Sequence, residues 1–137
     1  MPNKLSFKSS KSSLLDEWIK KAEDDRLFAK SIFTHRDAPP SGVCFHCQQM
    51  AEKLFKTFLI SQGKQYPKIH AVDALWEMCV EIDTSLKELR EDAVYLTGFY
   101  VTTRYPGDYP DFSWREAELA FIAALNIKDV LLKKIKI

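Results

Sequence analysis

The sequence predicts an all-α fold: an antiparallel up-and-down bundle of four long helices plus one short helix. Three observations predict it. Apolar residues recur three and four positions apart along most of the 137 residues, the spacing that stripes one side of an α-helix. Alternating apolar and polar runs, which a half-buried strand needs, are missing from the sequence. The four glycines and six prolines fall at boundaries between striped segments, where they end a helix rather than weaken one. Short connections between such segments make neighbouring helices antiparallel.

Residues 1–12, rich in Ser and Lys, read as a flexible N-terminal arm, and residues 13–137 as the bundle domain. Ser13 followed by Asp16 and Glu17 marks a helix start. Leu15, Trp18, Ile19, Ala22, Ala29 and Phe33 stripe that helix to about Thr34, and Pro39-Pro40-Ser41-Gly42 breaks it. A long second helix runs to about Gln62, with Gly63 placed to end it. Its main apolar face is Val43, Cys44, Cys47, Ala51, Leu54, Phe55 and Phe58. Phe45 and Leu59 lie on another side, so this helix is either central in the bundle or also meets a second subunit.

Residues 71–80 give the short helix through Val72, Leu75, Trp76 and Cys79. Ser85 with Glu88 reads as a capping box opening a fourth helix to about Tyr100, with Leu86, Leu89, Ala93 and Leu96 inward. Ser113 with Glu116 caps the last helix, striped by Ala117, Ala120, Phe121, Ala124, Ile127 and Leu131. Trp18 and Trp76 read as core anchors.

Hydrophobic residues make up 46% and charged residues 28% of the chain, the balance of one globular domain. A formal net charge of +1 rules out a broad basic surface, so any nucleic-acid contact has to come from a few placed residues. The sequence shows neither a secretory-signal pattern nor an apolar run long enough to cross a bilayer, and a cytoplasmic location is the expectation. Three cysteines, an odd number, fit a reducing compartment.

Cys44-Phe45-His46-Cys47 resembles a metal motif by eye, with Cys79 and His70 as further ligands. Both cysteines fall on the apolar face of a long helix, however, and a second closely spaced ligand pair is missing. Core packing explains them, and neither metal nor cofactor is expected. No serine sits in a nucleophile-elbow turn, and the glycines are too scattered to cradle phosphate.

Two runs carry the chemistry. In Phe45-His46-Cys47-Gln48-Gln49-Met50-Ala51-Glu52-Lys53, the side chains of His46, Gln49 and Lys53 line up at helical spacing, away from the apolar face. Glu52 and Lys53 read equally as solvated helix charges, and Lys56 as one. In Thr103-Arg104-Tyr105-Pro106-Gly107-Asp108, an arginine precedes a Pro-Gly turn at the end of a helix. Arg104 offers a planar fork of donors suited to phosphate. Its other reading is as a cap on the carbonyls that end that helix.

These residues resemble those of the HEPN family of small helical domains. Trp18, Ala22, Asp24 and Asp25 are similar to its first helix. Phe45-His46, Gln48-Gln49, Ala51-Glu52-Lys53 and Lys56 are similar to its second. His70, Asp73 and Leu75 are similar to the start of its third, and Tyr100 through Asp108 to its arginine-bearing turn. The resemblance covers about residues 14–134.

It implies a helical bundle, often homodimeric and commonly paired with a minimal nucleotidyltransferase. Some members are metal-independent ribonucleases that follow the arginine, after four to six residues, with a histidine. Here those positions hold Tyr109, Pro110 and Asp111. The expectation is therefore a noncatalytic module that binds a nucleotide or RNA phosphate, or a partner nucleotidyltransferase. Its ligand-binding residues would be Arg104, Tyr105, Asp108, His46, Gln49 and Lys53. The alternatives are a toxin-like ribonuclease that borrows His46 or His70 as base, and a structural partner subunit with no ligand.

Overall fold

The computed structural model describes residues 3–100 and 111–135, with side chains from Lys11 onward. Among the described residues five α-helices follow one another: α1 (Asn3–His35), α2 (Pro40–Ser61), α3 (Val72–Ile82), α4 (Arg90–Thr97) and α5 (Trp114–Lys134), with a 3-10 helix at Thr84–Leu89 before α4. The all-α prediction holds. No strand occurs among the described residues.

Residues 3–12 are the first turns of α1, and the start expected at Ser13 lies inside the helix. The physical reason is that no Gly or Pro interrupts residues 3–35, so nothing stops the helix from extending. Lys11 also donates to the Ser61 carbonyl at 3.3 Å, where the end of α2 leaves oxygens without helical partners. Contacts down the pair run Lys11 to Ser61, Asp25 to Lys53 and Ile32 to Gly42, so α1 and α2 are antiparallel. A Cβ on Gly42 would stand 3.0 Å from Ile32 Cδ1, so a glycine there lets the two helices meet closely above their short connection.

Both ends of that hairpin use left-handed backbone. Arg36 closes α1 at φ 54° and lays its guanidinium over the Trp114 ring, 4.5 Å from the centroid. This cation–π contact fastens the end of α1 to the start of α5. Gly63, at φ 74°, ends α2 as expected. Its N–H bonds to the Ile60 carbonyl and that of Lys64 to the Leu59 carbonyl, each at 3.0 Å, the paired pattern that satisfies the last carbonyls of a helix.

The other four α-helices pack on α2 or on its neighbours. Its expected apolar face is fully buried, and so is Leu59 at 1% exposure, while Phe45 is half-buried. The helix is central in its own bundle. Cys44, Cys47 and Cys79 are free and buried in the same core. Burial pushes the Cys44 and Cys79 thiols up to about 12 and raises that of Cys47 too.

Two expectations need correction. The fourth helix is not long. Where a Ser85–Glu88 box was expected to open it, Asp83 caps a 3-10 helix, accepting from Ser85 N–H at 3.0 Å and from Ser85 Oγ at 2.7 Å. The six residues that follow are 3-10, and only Arg90–Thr97 is α-helical. Trp76 is the core anchor expected, its indole N–H donating to the Leu86 carbonyl at 2.7 Å. Trp18 is not, being half-buried edge-on against Tyr66 at the rim. The Ser113–Glu116 box forms as expected, with both bonds in place.

Candidate functional site: the polar face of the central helix

The side of α2 turned away from its apolar face carries Gln48, Gln49, Glu52, Lys53, Lys56 and His46. Helical geometry fans them around roughly half of the circumference. Two groups form there.

The first is centred on Asp25 of α1, a carboxylate buried to 7% exposure. Its Oδ1 lies 2.9 Å from His46 Nδ1 and its Oδ2 accepts from Lys53 Nζ at 2.6 Å. A carboxylate at Nδ1 fixes the orientation of the ring. Phe28, one turn along α1, stacks on that imidazole with centroids 4.8 Å apart and planes inclined by 17°. The alignment of His46 with Lys53 is thus real, and Asp25 is what joins them.

Gln49 belongs to the second group. Its amide donates to Gln48 Oε1 at 2.7 Å and, at 3.5 Å, to Glu52 Oε1. Glu52 accepts from Lys56 Nζ at 2.9 Å and pairs with His70 Nδ1 at 3.1 Å. The Gln48 side chain is wholly buried and donates to the His70 carbonyl at 2.9 Å. Burial alone would raise the Glu52 pKa. The hydrogen bonds from Lys56 and His70 outweigh it, and the carboxyl sits below its ordinary 4.5.

Glu52, which read equally as a solvated charge, and Lys56, expected as one, are therefore a buried ion pair at 6% and 5% exposure. They escape water because the 62–71 connection crosses above them. Tyr66 lies over the Lys56 ammonium, 5.5 Å from ring centroid to Nζ, and Trp18 braces Tyr66 at 4.9 Å between centroids. His70 closes the other end, stacked on Tyr100 at 4.5 Å and 10°.

Arg104, Tyr105 and Asp108 lie outside the described residues. Their sequence run begins at Tyr100, which the structure places against His70. Sequence reasoning quoted Asp25 without a role and missed Phe28. The available signal for Asp25 was its register, three residues after Ala22 and four before Ala29, on the buried stripe of α1.

Helices around a buried polar face on the second helix define a class of small helical domain. The HEPN domain family model matches residues 15–135, and the chain belongs to that family. Two solved structures are similar throughout. The archaeal HEPN homologue ST0689 has 25% identity and a TM-score of 0.71 over 89% of this chain and 98% of its own. The TT1696 protein from Thermus thermophilus has 26% identity and a TM-score of 0.75 over 88% and 97%. Comparison with curated proteins gives no match.

Proposed function

We propose that this domain is a noncatalytic binding module of the cytoplasm, acting as a homodimer. Its ligand is a nucleotide or RNA phosphate, or the nucleotide-handling surface of a partner nucleotidyltransferase. The observation that carries this reading is the His70–Tyr100 stack, which anchors the start of the Arg104 run against the polar face of α2. In this reading Arg104 supplies the planar donor fork for phosphate, and Tyr105 and Asp108 are further ligand-binding residues. Lys53 and His46 supply further donors, and Gln49 an amide.

Catalysis is left out because the positions where ribonuclease members carry histidine hold Tyr109, Pro110 and Asp111. Without a base at that place, the arginine can steady phosphate charge but cannot move a proton.

The test is incubation of pure protein with RNA and with labelled nucleotides. Binding without cleavage is expected, and Arg104→Ala should weaken it roughly tenfold to a hundredfold, the worth of charge-assisted hydrogen bonds. Lys53→Ala should cost less, since Asp25 already neutralises that ammonium. Unchanged binding with a lowered unfolding midpoint would mean that Arg104 only caps its helix.

One observation favours a second reading, a ribonuclease that borrows His46 as base. Asp25 at Nδ1 orients the imidazole, as a general base requires. Cleavage abolished by His46→Ala and surviving Arg104→Ala would select it.

A further inference from the structure

The connection from α2 to α3 is tied down at its ends and loose between them. At its start Gly63 holds left-handed backbone, and a Cβ there would meet nothing within 4 Å. At its far end Ile69 packs on the core, while His70 pairs with Glu52 and lends its carbonyl to Gln48. Gln65, Tyr66, Lys68 and Ile69 form no backbone hydrogen bond among the described residues. The contacts that hold the tip down belong to Tyr66, whose ring rests over the Lys56 ammonium and meets Trp18 edge-on.

What lies beneath that ring is unlike a core. An ammonium carries three N–H donors, and Glu52 accepts from Lys56, with no further acceptor in reach among the described residues. Such a group regains hydration when it is uncovered. On the other side of Trp18, along the seam of α1 and α2, runs a groove of about 380 Å³ lined by Glu17, Trp18, Lys21 and Lys53. Trp18 is thus common to an open groove and to the cover over a buried ion pair.

We propose that Tyr66 is a gate. Residues 64–68 swing about Gly63 and Ile69 between the closed position of the structure and an open one, in which Tyr66 leaves Trp18 and the Lys56 ammonium opens to the groove. Glycine takes up the change of backbone angles at the first pivot without strain. Pro67 stiffens the tip, so that Tyr66 moves with it. Opening gives up two weak aromatic contacts and returns water to a half-satisfied ammonium, which keeps the two positions close in free energy. The open groove then holds Lys56 beside Lys21 and Lys53, with Asp25 already on Lys53 and Glu17 and Glu52 as the facing carboxylates. Trp18 is a positioning residue that acts on Lys56 through Tyr66. The gate controls access to the polar face on which the binding reading rests, and its test needs no ligand, so either can fail alone.

The experiment is brief acetylation of the native protein with a succinimidyl ester, read at each lysine by peptide mass spectrometry, with the exposed Lys30 as reference. Lys56 should react at least about tenfold more slowly than Lys30, and its rate should hardly change in urea below the unfolding transition, because lifting the tip exposes little surface. Tyr66→Phe should match the wild type. Tyr66→Ala should speed Lys56 about tenfold or more, since both ring contacts go. Trp18→Ala leaves the Tyr66 ring in place but unbraced, and should speed Lys56 about three- to tenfold, the worth of one aromatic pair. Tyr100→Ala, at the fixed end, should leave the rate alone. Wild-type Lys56 as fast as Lys30 would mean no cover, and Lys56 unmoved by Trp18→Ala would make Tyr66 a fixed shield. A rate that climbs steeply with urea would assign exposure to general unfolding. Each of these overturns the gate, as does acceleration by Tyr100→Ala, which would mean that the whole connection comes away.

Discussion

Lys56 reaches Glu52 at 2.9 Å one turn away on α2, with 6% and 8% of the two side chains exposed. Removing one partner of such a pair strands a charge in the protein interior, which costs about 3–5 kcal/mol, whereas replacing both with apolar groups is often near neutral. Lys56→Met should therefore lower stability by about that amount. Lys56→Met with Glu52→Leu should recover much of it. Urea unfolding of the two variants measures both, and a double variant no better than the single one would show that the His70 and Gln48 bonds to Glu52 outweigh the ion pair.

Acid should destabilise the fold with a definite sign. The folded pKa of Glu52 lies below its ordinary 4.5, so the folded state holds fewer protons than the unfolded chain near that pH. The stability Glu52 contributes is complete above about 4.5 and drains away as pH falls through the folded value. Asp83, held at about 2 by Lys134 and Ser85, adds the same sign between its ordinary 3.8 and that value. The unfolding midpoint should thus stay level from pH 7 to about 5 and drop below it. Glu52→Gln should start lower at neutral pH and fall less steeply, and an equally steep fall would assign the acid sensitivity to other carboxylates.

Asp25 restrains two cationic groups at once, His46 and Lys53. Asp25→Asn keeps the shape and removes the charge, which frees Lys53 for an anion while weakening the α1–α2 contact. Stability should fall by about 1–3 kcal/mol, the range for charge-assisted bonds and half-buried polar groups. Binding of inorganic pyrophosphate should tighten, by a few-fold, and the gain should vanish in Asp25→Asn with Lys53→Met. Calorimetric titration of the variants decides it. Weaker pyrophosphate binding in Asp25→Asn would mean that the carboxylate positions Lys53 rather than competing for it.

Arg36 balances two opposed effects. Its φ of 54° costs a non-glycine residue about 1–2 kcal/mol, and its guanidinium over Trp114 returns about 0.5–1 kcal/mol. Arg36→Ala keeps the strained backbone and loses the ring contact, so it should be destabilising. Arg36→Gly loses the same contact but relieves the strain, and should be more stable than the alanine variant by about 1 kcal/mol. Thermal midpoints of the three proteins test the order.

What was legible in the sequence was whatever repeats locally. The α2 and α5 stripes, the Gly63 stop and the Ser113–Glu116 box are each written within a few residues, and each is found in place. Ser85–Glu88 has the same spacing as Ser113–Glu116, yet Asp83 lies nearer to Ser85 and takes its N–H and hydroxyl. A box motif says nothing of a competing acceptor two residues upstream. Glu52 and Lys56 look like any surface pair at i and i+4, because what buries them is Tyr66 and His70 on a connection that crosses later. Asp25 and Lys53 meet across a helix pair, and no local pattern announces a contact of that span. The class of fold is carried by short-range periodicity, and the site by long-range encounters.

The three core cysteines turn this bundle into its own opening meter. Cys44 and Cys47 face the core from α2, and Cys79 sits on α3 with its Sγ 3.6 Å from the Phe55 carbonyl. None is accessible in the closed protein, and burial holds each thiol in its unreactive protonated form. A thiol-modifying reagent can therefore count only the moments when a helix lifts away, and its rate at each position reports how often that happens. If α3 lifts from α2 on its own, Cys79 is modified first; if the bundle opens as one body, all three react at a single rate.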